Sequence, residues 1–459
     1  MPRLVGALPS ASTTVPGDTM TDQLDRDIDA AEAADAAEAE STAKLRDEIR
    51  GWLAVNWDPD LTVAEWWERL ADGGWSVPTW PEDAFGRGLS RGDANVIGEE
   101  ITAAGALGPP GGLGIMLAGP TIVAHGDEDQ RARYLRPIVT GAEAWCQLFS
   151  EPEAGSDLAG LKCRAERDGD VWNVNGQKVW TSGGQIADRG MLLARTDPDV
   201  RKHRGISWFA VDMLQAGMDV RPLREMTGRA LFNEVFLTDV SAKNDDIIGG
   251  PDNGWAVANT TLFVERSSLG AGGHGASGAA ASPGTIMGDL AKRAGDFVKV
   301  DSSGSGDVMG GGAGNAVLRL ARKHAPIADA TLRQKLVQLH EMQEIARFSN
   351  LRAKAAHEAG MKLTGGEANM AKLSMSRITK LAAELGLALQ GPAGQLWRDP
   401  ASDPVMAEMF LFAPAVSIYG GTDEVQKNII GERTLGLPPE PRTDKDVPFR
   451  DIAKSTPRG

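Results

Sequence analysis

Between residue 144 and about residue 246 the hydrophobic pattern changes from a helical period to short alternating runs, and this switch constrains the fold more than any other feature. The runs fall at 144–150, 162–168, 171–174, 189–196, 207–212 and 230–238, separated by turn signals such as Asp168-Gly169-Asp170 and Asn175-Gly176. Such a segment reads as a β domain. On both sides the period is helical. Leu45, Ile49, Trp52 and Leu53 share one face, a second apolar stripe runs from 65 to the Asp72-Gly73-Gly74 break, and 91–107 and 128–141 repeat the pattern. Beyond Gly254 come Leu332, Leu336, Leu339, Ile345 and Leu351, then Leu373, Ile378, Leu381 and Leu385. The order helix, sheet, helix places the chain in the α+β class.

The expected organisation is a disordered acidic leader (1–41), an N-terminal helical domain (42–142), a central β domain (143–246), a C-terminal helical domain (247–440) and a tail (441–459). The first 40 residues hold nine acids against two bases, so nearly half of the formal charge of −15 lies outside the folded body. Residues 270–315, crowded with Gly, Ala and Ser, read as a flexible insertion in the C-terminal helical domain, around a helix-prone piece at 287–298. The acidic balance disfavours nucleic acid. Two cysteines, Cys146 and Cys163, are too few for a disulfide framework, and no apolar run reaches the roughly 18 residues of a membrane span. A cytoplasmic protein without membrane insertion is expected. The six histidines show no metal-ligand spacing, and neither a phosphate-binding Gly loop nor a nucleophile elbow is present.

Three places carry chemistry in their own residues. At 147–158 (QLFSEPEAGSDL) a strand runs into a Pro/Gly turn that exposes backbone N–H groups and the Ser156 hydroxyl. At 175–184 (NGQKVWTSGG) Trp180 stands beside Thr181 and Ser182, an aromatic plane next to two hydroxyls. At 262–266 (LFVER) a carboxylate is flanked by Leu262, Phe263 and Val264, so that desolvation raises its pKa toward that of a useful general base.

With 229–237 (RALFNEVFL) and 418–433 (IYGGTDEVQKNIIGER), these blocks resemble, in order and in register, the acyl-CoA dehydrogenase family of flavoenzymes over roughly residues 42–440. The resemblance implies a helical N-terminal domain, a central β-barrel-like domain and a C-terminal helical bundle. It also implies FAD as cofactor and α,β-dehydrogenation of an acyl-CoA thioester to a trans-2-enoyl-CoA. Gln147, Phe149 and Ser150 would cover the flavin, and Gly155 and Ser156 would lie by the flavin and the pantetheine arm of the substrate. Trp180, Thr181 and Ser182 would meet the isoalloxazine, with Ser182 near N5. Thr422 would serve the adenosine end of the cofactor, and Arg266 would contact the CoA.

The family's commonest catalytic base is the Glu of YEGT, but this chain reads Tyr419-Gly420-Gly421-Thr422. Members similar to the isovaleryl and long-chain enzymes place the base on an earlier helix as Glu-Arg, which here is Glu265-Arg266. By resemblance Glu265 is the base, and the Gly420 N–H keeps the oxyanion role of donating to the thioester oxygen. A glycine at 420 also frees volume for a branched or bulky acyl chain. Asp329-Ala330-Thr331-Leu332-Arg333 replaces the family's RxxFG helix start, leaving Arg333 as the substitute cation, and Ala388 replaces the Gln before the 391–394 Gly loop. These departures bear on cofactor contacts across a subunit interface. The expected partners are an electron-transferring flavoprotein and further subunits in a homo- or heterotetramer. Two alternatives stand beside this reading: a non-catalytic FAD-binding or assembly subunit, and an oxygen-consuming oxidase or monooxygenase on the same scaffold.

Overall fold

A computed structural model describes residues 20–270, 289–298, 312–359, 361, 366–397, 404–441, 444 and 446–452. The chain divides into two compact units. The smaller comprises residues up to Trp57 together with Ser90–Gly105. It is built on helices α1 (Met20–Asn56) and α3 (Arg91–Ala103). Leu45, Ile49 and Leu53 of α1 and Ile97 and Ile101 of α3 are buried. The carboxylate of Glu100 accepts from Arg50 Nε (2.6 Å) and Arg46 Nη1 (2.5 Å).

Helix α1 corrects the expected leader: residues 20–41 are helical, and 1–19 lie outside the described residues. The segment is rich in Ala, the strongest helix former, so local propensity supports the helix.

The larger unit holds everything else. Its first helices are α2 (Val63–Asp72), α4 (Gly119–His125) and α5 (Glu128–Val139), with a π-helical turn at Gly114–Ala118. Capping boxes open α2 (Thr62 with Glu65) and α5 (Asp127 with Gln130), as the polar residues ahead of each apolar stripe require.

Eight strands follow: β1 (Trp145–Leu148), β2 (Arg164–Asp168), β3 (Val171–Ser182), β4 (Arg189–Arg195), β5 (Ile206–Asp212), β6 (Met218–Leu223), β7 (Phe232–Lys243) and β8 (Ile247–Ile248). They form one sheet in the order β6-β7-β3-β2-β4-β5-β8, with β1 parallel to β4. Trp145, Met191, Leu193, Trp208 and Ala210 pack with Ile138, Leu117 and Val257 in one core. Leu148, Leu192, Phe209, Val235 and Val240 form a second.

Two expectations change here. Asn175-Gly176 is not a turn but lies within β3, and β6 joins the strands read from the sequence. A Cβ at Gly176 would lie 2.7 Å from the Cys163 Cα, so this glycine serves a close backbone approach.

The C-terminal helices are α6 (Gly254–Gly270), α7 (Ala313–Lys323), α8 (Ala330–Glu358), α9 (Glu367–Gln390), α10 (Pro404–Val416) and α11 (Asp423–Ile429). Val317, Leu320, Leu339, Ala382, Leu385 and Met409 form a core shared by α7, α8, α9 and α10. Within the expected insertion, 271–288 and 299–311 lie outside the described residues, 289–298 contains two short 3₁₀ turns, and α7 already begins at Ala313.

Candidate active site

Helix α6 is anchored at its start and along one side. A Cβ at Gly254 would lie 2.5 Å from the Ser207 carbonyl carbon, so only glycine lets the helix begin directly on β5. One turn and more along, Thr261 Oγ1 pairs with Thr121 Oγ1 (2.9 Å) and Thr260 Oγ1 with His125 Nε2 (2.7 Å), tying α6 to α4. The next turn presents Glu265. Its carboxylate Oε2 lies 3.4 Å from Nε2 of Gln147, which projects from β1.

Leu113, Met116, Leu117, Gln147, Trp180, Ser182 and Glu265 line one pocket. Met116 and Leu117 belong to the π-helical turn, a distortion that recurs at functional sites. Burial pushes the Glu265 carboxyl above its ordinary 4.5, against the lowering influence of the Gln147 hydrogen bond and the Arg266 charge. Burial also lowers the Arg266 guanidinium; Glu265 opposes that shift and Arg433 adds to it. Tyr419 stands within electrostatic range: burial, then the charge of Glu265, pushes its phenol up to about 12.

A bulge in β3 decides which side chains of the 175–184 block face the pocket. Opposite β7 the register shifts between Lys178 and Thr181. Trp180 sits in this bulge at φ +62°, its ring 57% exposed and edge-on to Phe232 at 5.8 Å. Trp180 and Ser182 therefore open onto the pocket, while Lys178 and Thr181 are both fully buried. Thr181, expected at the isoalloxazine, does not line the pocket. Its carbonyl accepts from Asn233 Nδ2 (3.0 Å), and its hydroxyl is buried without a partner among the described residues.

Sequence reading missed the device that shapes the 147–158 block. Lys178 Nζ donates to Glu151 Oε1 (2.8 Å) and to the Phe149 carbonyl (3.2 Å). The same carboxylate accepts from the backbone N–H groups of Lys162 (2.7 Å) and Cys163 (2.9 Å). A single Lys between Gln177 and Val179, the one charged residue of β3, was the available signal. Phe149 is buried, Ser150 accepts the Val179 N–H at its carbonyl (2.9 Å), and Gly155 and Ser156 are exposed on the turn beyond. Neither Gly155 nor Ser156 lines the pocket around Glu265.

Gly420 and Gly421 follow one another at φ +62° and +84°. The Gly420 N–H makes no hydrogen bond among the described residues. Thr422 caps α11, its Oγ1 accepting from the Val425 N–H at 3.2 Å. Arg333 donates to the Ile327 (2.6 Å) and Ala328 (2.8 Å) carbonyls near the start of α8.

A half-buried carboxyl beside a carboxamide, an exposed indole and a hydroxyl is a set of groups suited to redox chemistry against a planar aromatic cofactor. Three domain models of the acyl-CoA dehydrogenases match the chain: the N-terminal domain at 30–142, the middle domain at 146–240 and the C-terminal domain at 315–435. The acyl-CoA dehydrogenase IpdE1 of Mycobacterium tuberculosis is 34% identical over 414 residues, covering 86% of this chain and 98% of that protein. Mitochondrial isovaleryl-CoA dehydrogenase of Pongo abelii is 31% identical over 214 residues, 46% of this chain and 51% of its own. The solved ChsE4-ChsE5 complex of M. tuberculosis superposes with a TM-score of 0.63 at 27% identity, covering 87% of this chain and 98% of that one. The chain belongs to the acyl-CoA dehydrogenase family, whose members are FAD-dependent oxidoreductases.

The residues present fit a flavin. A large aromatic left more than half open at a pocket rim, with Gln147 and Ser182 as polar neighbours, offers a surface of the kind an isoalloxazine could cover. The Thr181 hydroxyl is buried and does not line this pocket. Thr181→Val is therefore expected to leave flavin content at the wild-type level, with unfolding stability unchanged or higher by about 1 kcal/mol as a buried, unpartnered hydroxyl is removed. Flavin loss in that variant would return Thr181 to the site.

Proposed function

We propose that this chain catalyses the α,β-dehydrogenation of an acyl-CoA thioester to the trans-2-enoyl-CoA, with Glu265 as the base. The observation that carries the reading is the place of the Glu265 carboxyl, in one pocket with Gln147, Trp180 and Ser182. When bound, FAD supplies the acceptor for the hydride lost from Cβ. Glu265 takes the Cα proton, and its raised pKa strengthens it as a base toward a weakly acidic C–H. Gln147 Nε2 donates to the carboxylate and fixes its direction. The free Gly420 N–H donates to the thioester oxygen as charge develops there. Leu113, Met116 and Leu117 supply an apolar wall for the acyl chain. Arg266, and Ser156 on the exposed turn, serve the CoA portion. Gln147, Phe149, Ser150, Gly155, Ser156, Trp180, Ser182 and Thr422 hold the cofactor through their side chains or backbone.

Gly420 leaves no side chain where the commonest base of the family stands, so branched or bulky acyl chains are accepted. Dye-linked oxidation of an acyl-CoA panel by the flavin-loaded protein tests this directly. Turnover of 2-methyl-branched thioesters at rates comparable to straight chains is expected, and a strict preference for short straight chains would count against it. Electrons leave to an electron-transferring flavoprotein, and further subunits complete a homo- or heterotetramer. Oxygen consumption matching substrate loss would instead identify an oxidase. Flavin-loaded protein that oxidises no thioester would identify a structural subunit.

A further inference from the structure

Two consecutive glycines are the freest backbone a chain can have, and a loop that must aim one N–H at a reacting oxygen needs that freedom removed. The loop at 417–422 supplies no side chain at Gly420 or Gly421 to do so. The restraint comes from behind it. Nε2 of Gln426, fully buried on α11, donates to the Gly420 carbonyl (2.8 Å) and approaches the Gly421 carbonyl (3.3 Å). The other end of the same carboxamide, Oε1, accepts from Nδ2 of Asn369 on α9 (2.5 Å). Both ends of the Gln426 amide are thus occupied, which fixes its orientation. A Cβ at Gly421 would lie 2.5 Å from Gln426 Nε2, so the second glycine makes room for this contact.

The start of α11 is fastened to α9 by a second set of bonds. Lys372 Nζ, fully buried, donates to Asp423 Oδ1 (3.0 Å), and Ser376 Oγ donates to Oδ2 (2.9 Å). The Asp423 N–H donates to the Ser417 carbonyl (3.0 Å), closing the loop on itself. The bond to the Gly420 carbonyl holds the Gly420–Gly421 peptide plane, and the Tyr419 N–H, donating to the Ala415 carbonyl (3.0 Å), holds the chain on the other side, so the peptide that carries the Gly420 N–H is tethered at both flanks.

We infer that Gln426, oriented by Asn369, is a positioning residue for the Gly420 N–H. The inference rests on the oxyanion role proposed above for Gly420. Its readout is the absorption of a bound aryl-conjugated enoyl-CoA, which shifts to the red when the thioester oxygen accepts a hydrogen bond. Wild type and Glu265→Gln are expected to show the shift. Gln426→Met, similar in shape but without donors, is expected to lose most of it. Its kcat would fall about tenfold or more while KM stays within about threefold, in keeping with the loss of one such donor. Asn369→Leu, which leaves Gln426 in place with its oxygen released, gives a smaller loss of the same kind and serves where Gln426→Met does not fold. A red shift at wild-type strength in folded Gln426→Met or Asn369→Leu protein overturns the positioning role alone. No shift in wild type overturns the Gly420 reading and this inference together.

Discussion

Glu265→Gln is expected to lower turnover by about 10² to 10⁴, the usual worth of a positioned general base, with flavin content and KM close to wild type. The substitution keeps the shape and the Gln147 neighbour but removes the only carboxylate that lines the pocket among the described residues. Since the base acts deprotonated and burial raises its pKa above 4.5, kcat/KM should rise with pH along a limb lying above that value. The same burial gives a second test that is independent of turnover. A carboxyl whose folded-state pKa is raised contributes fully to stability below its ordinary value of 4.5, and that contribution is lost as pH rises through the raised value. Glu265→Gln mimics the protonated form at every pH. It should therefore melt above wild type at mildly alkaline pH, with the difference closing as pH falls toward 4.5. Wild-type turnover in the flavin-loaded variant would remove Glu265 from the mechanism, and equal melting at every pH would show that its carboxyl is not desolvated.

Glu265 was legible because its signals are local: three apolar neighbours, an adjacent Arg and a place near the start of the C-terminal helices. The helix, sheet, helix order was legible for the same reason, since periodicity is carried by each segment alone. What failed depended on partners far along the chain. Asn175-Gly176 carries a strong hairpin signal, yet its strand pairs with β2 and β7, and Gly176 is needed where Cys163 crosses. Strand β6 has no fully buried residue, sits at the end of the sheet order and contains Pro222, which sequence reading assigns to loops and an edge strand tolerates. The burial of Thr181 beside the open Trp180 follows from a bulge, because one extra residue on β3 changes the phase of alternation and no residue type announces it. Gln426 and Asn369 lie 57 positions apart and read as ordinary helix residues until α9 and α11 bring them together.

Glu151→Ala is the substitution expected to cost the most stability, about 3 to 5 kcal/mol, as for other buried ion pairs broken from one side. Lys178 is fully buried, and without the carboxylate its ammonium keeps only the Phe149 carbonyl. The N–H groups of Lys162 and Cys163 lose their acceptor at the same time. Each loss falls on the strand and turn that present Gln147, Phe149 and Ser150, so flavin release should move to lower urea together with unfolding. The double variant Glu151→Gln with Lys178→Met separates the charge from the scaffold. It removes the stranded ammonium and keeps an acceptor for the backbone, and since apolar replacement of a buried pair is often neutral, most of the lost stability should return. Urea titration followed by tryptophan fluorescence and by flavin release reads both variants. Unfolding of Glu151→Ala at the wild-type midpoint would mean that the turn is held by its own backbone, and that the Lys178 charge is tolerated without a counterion.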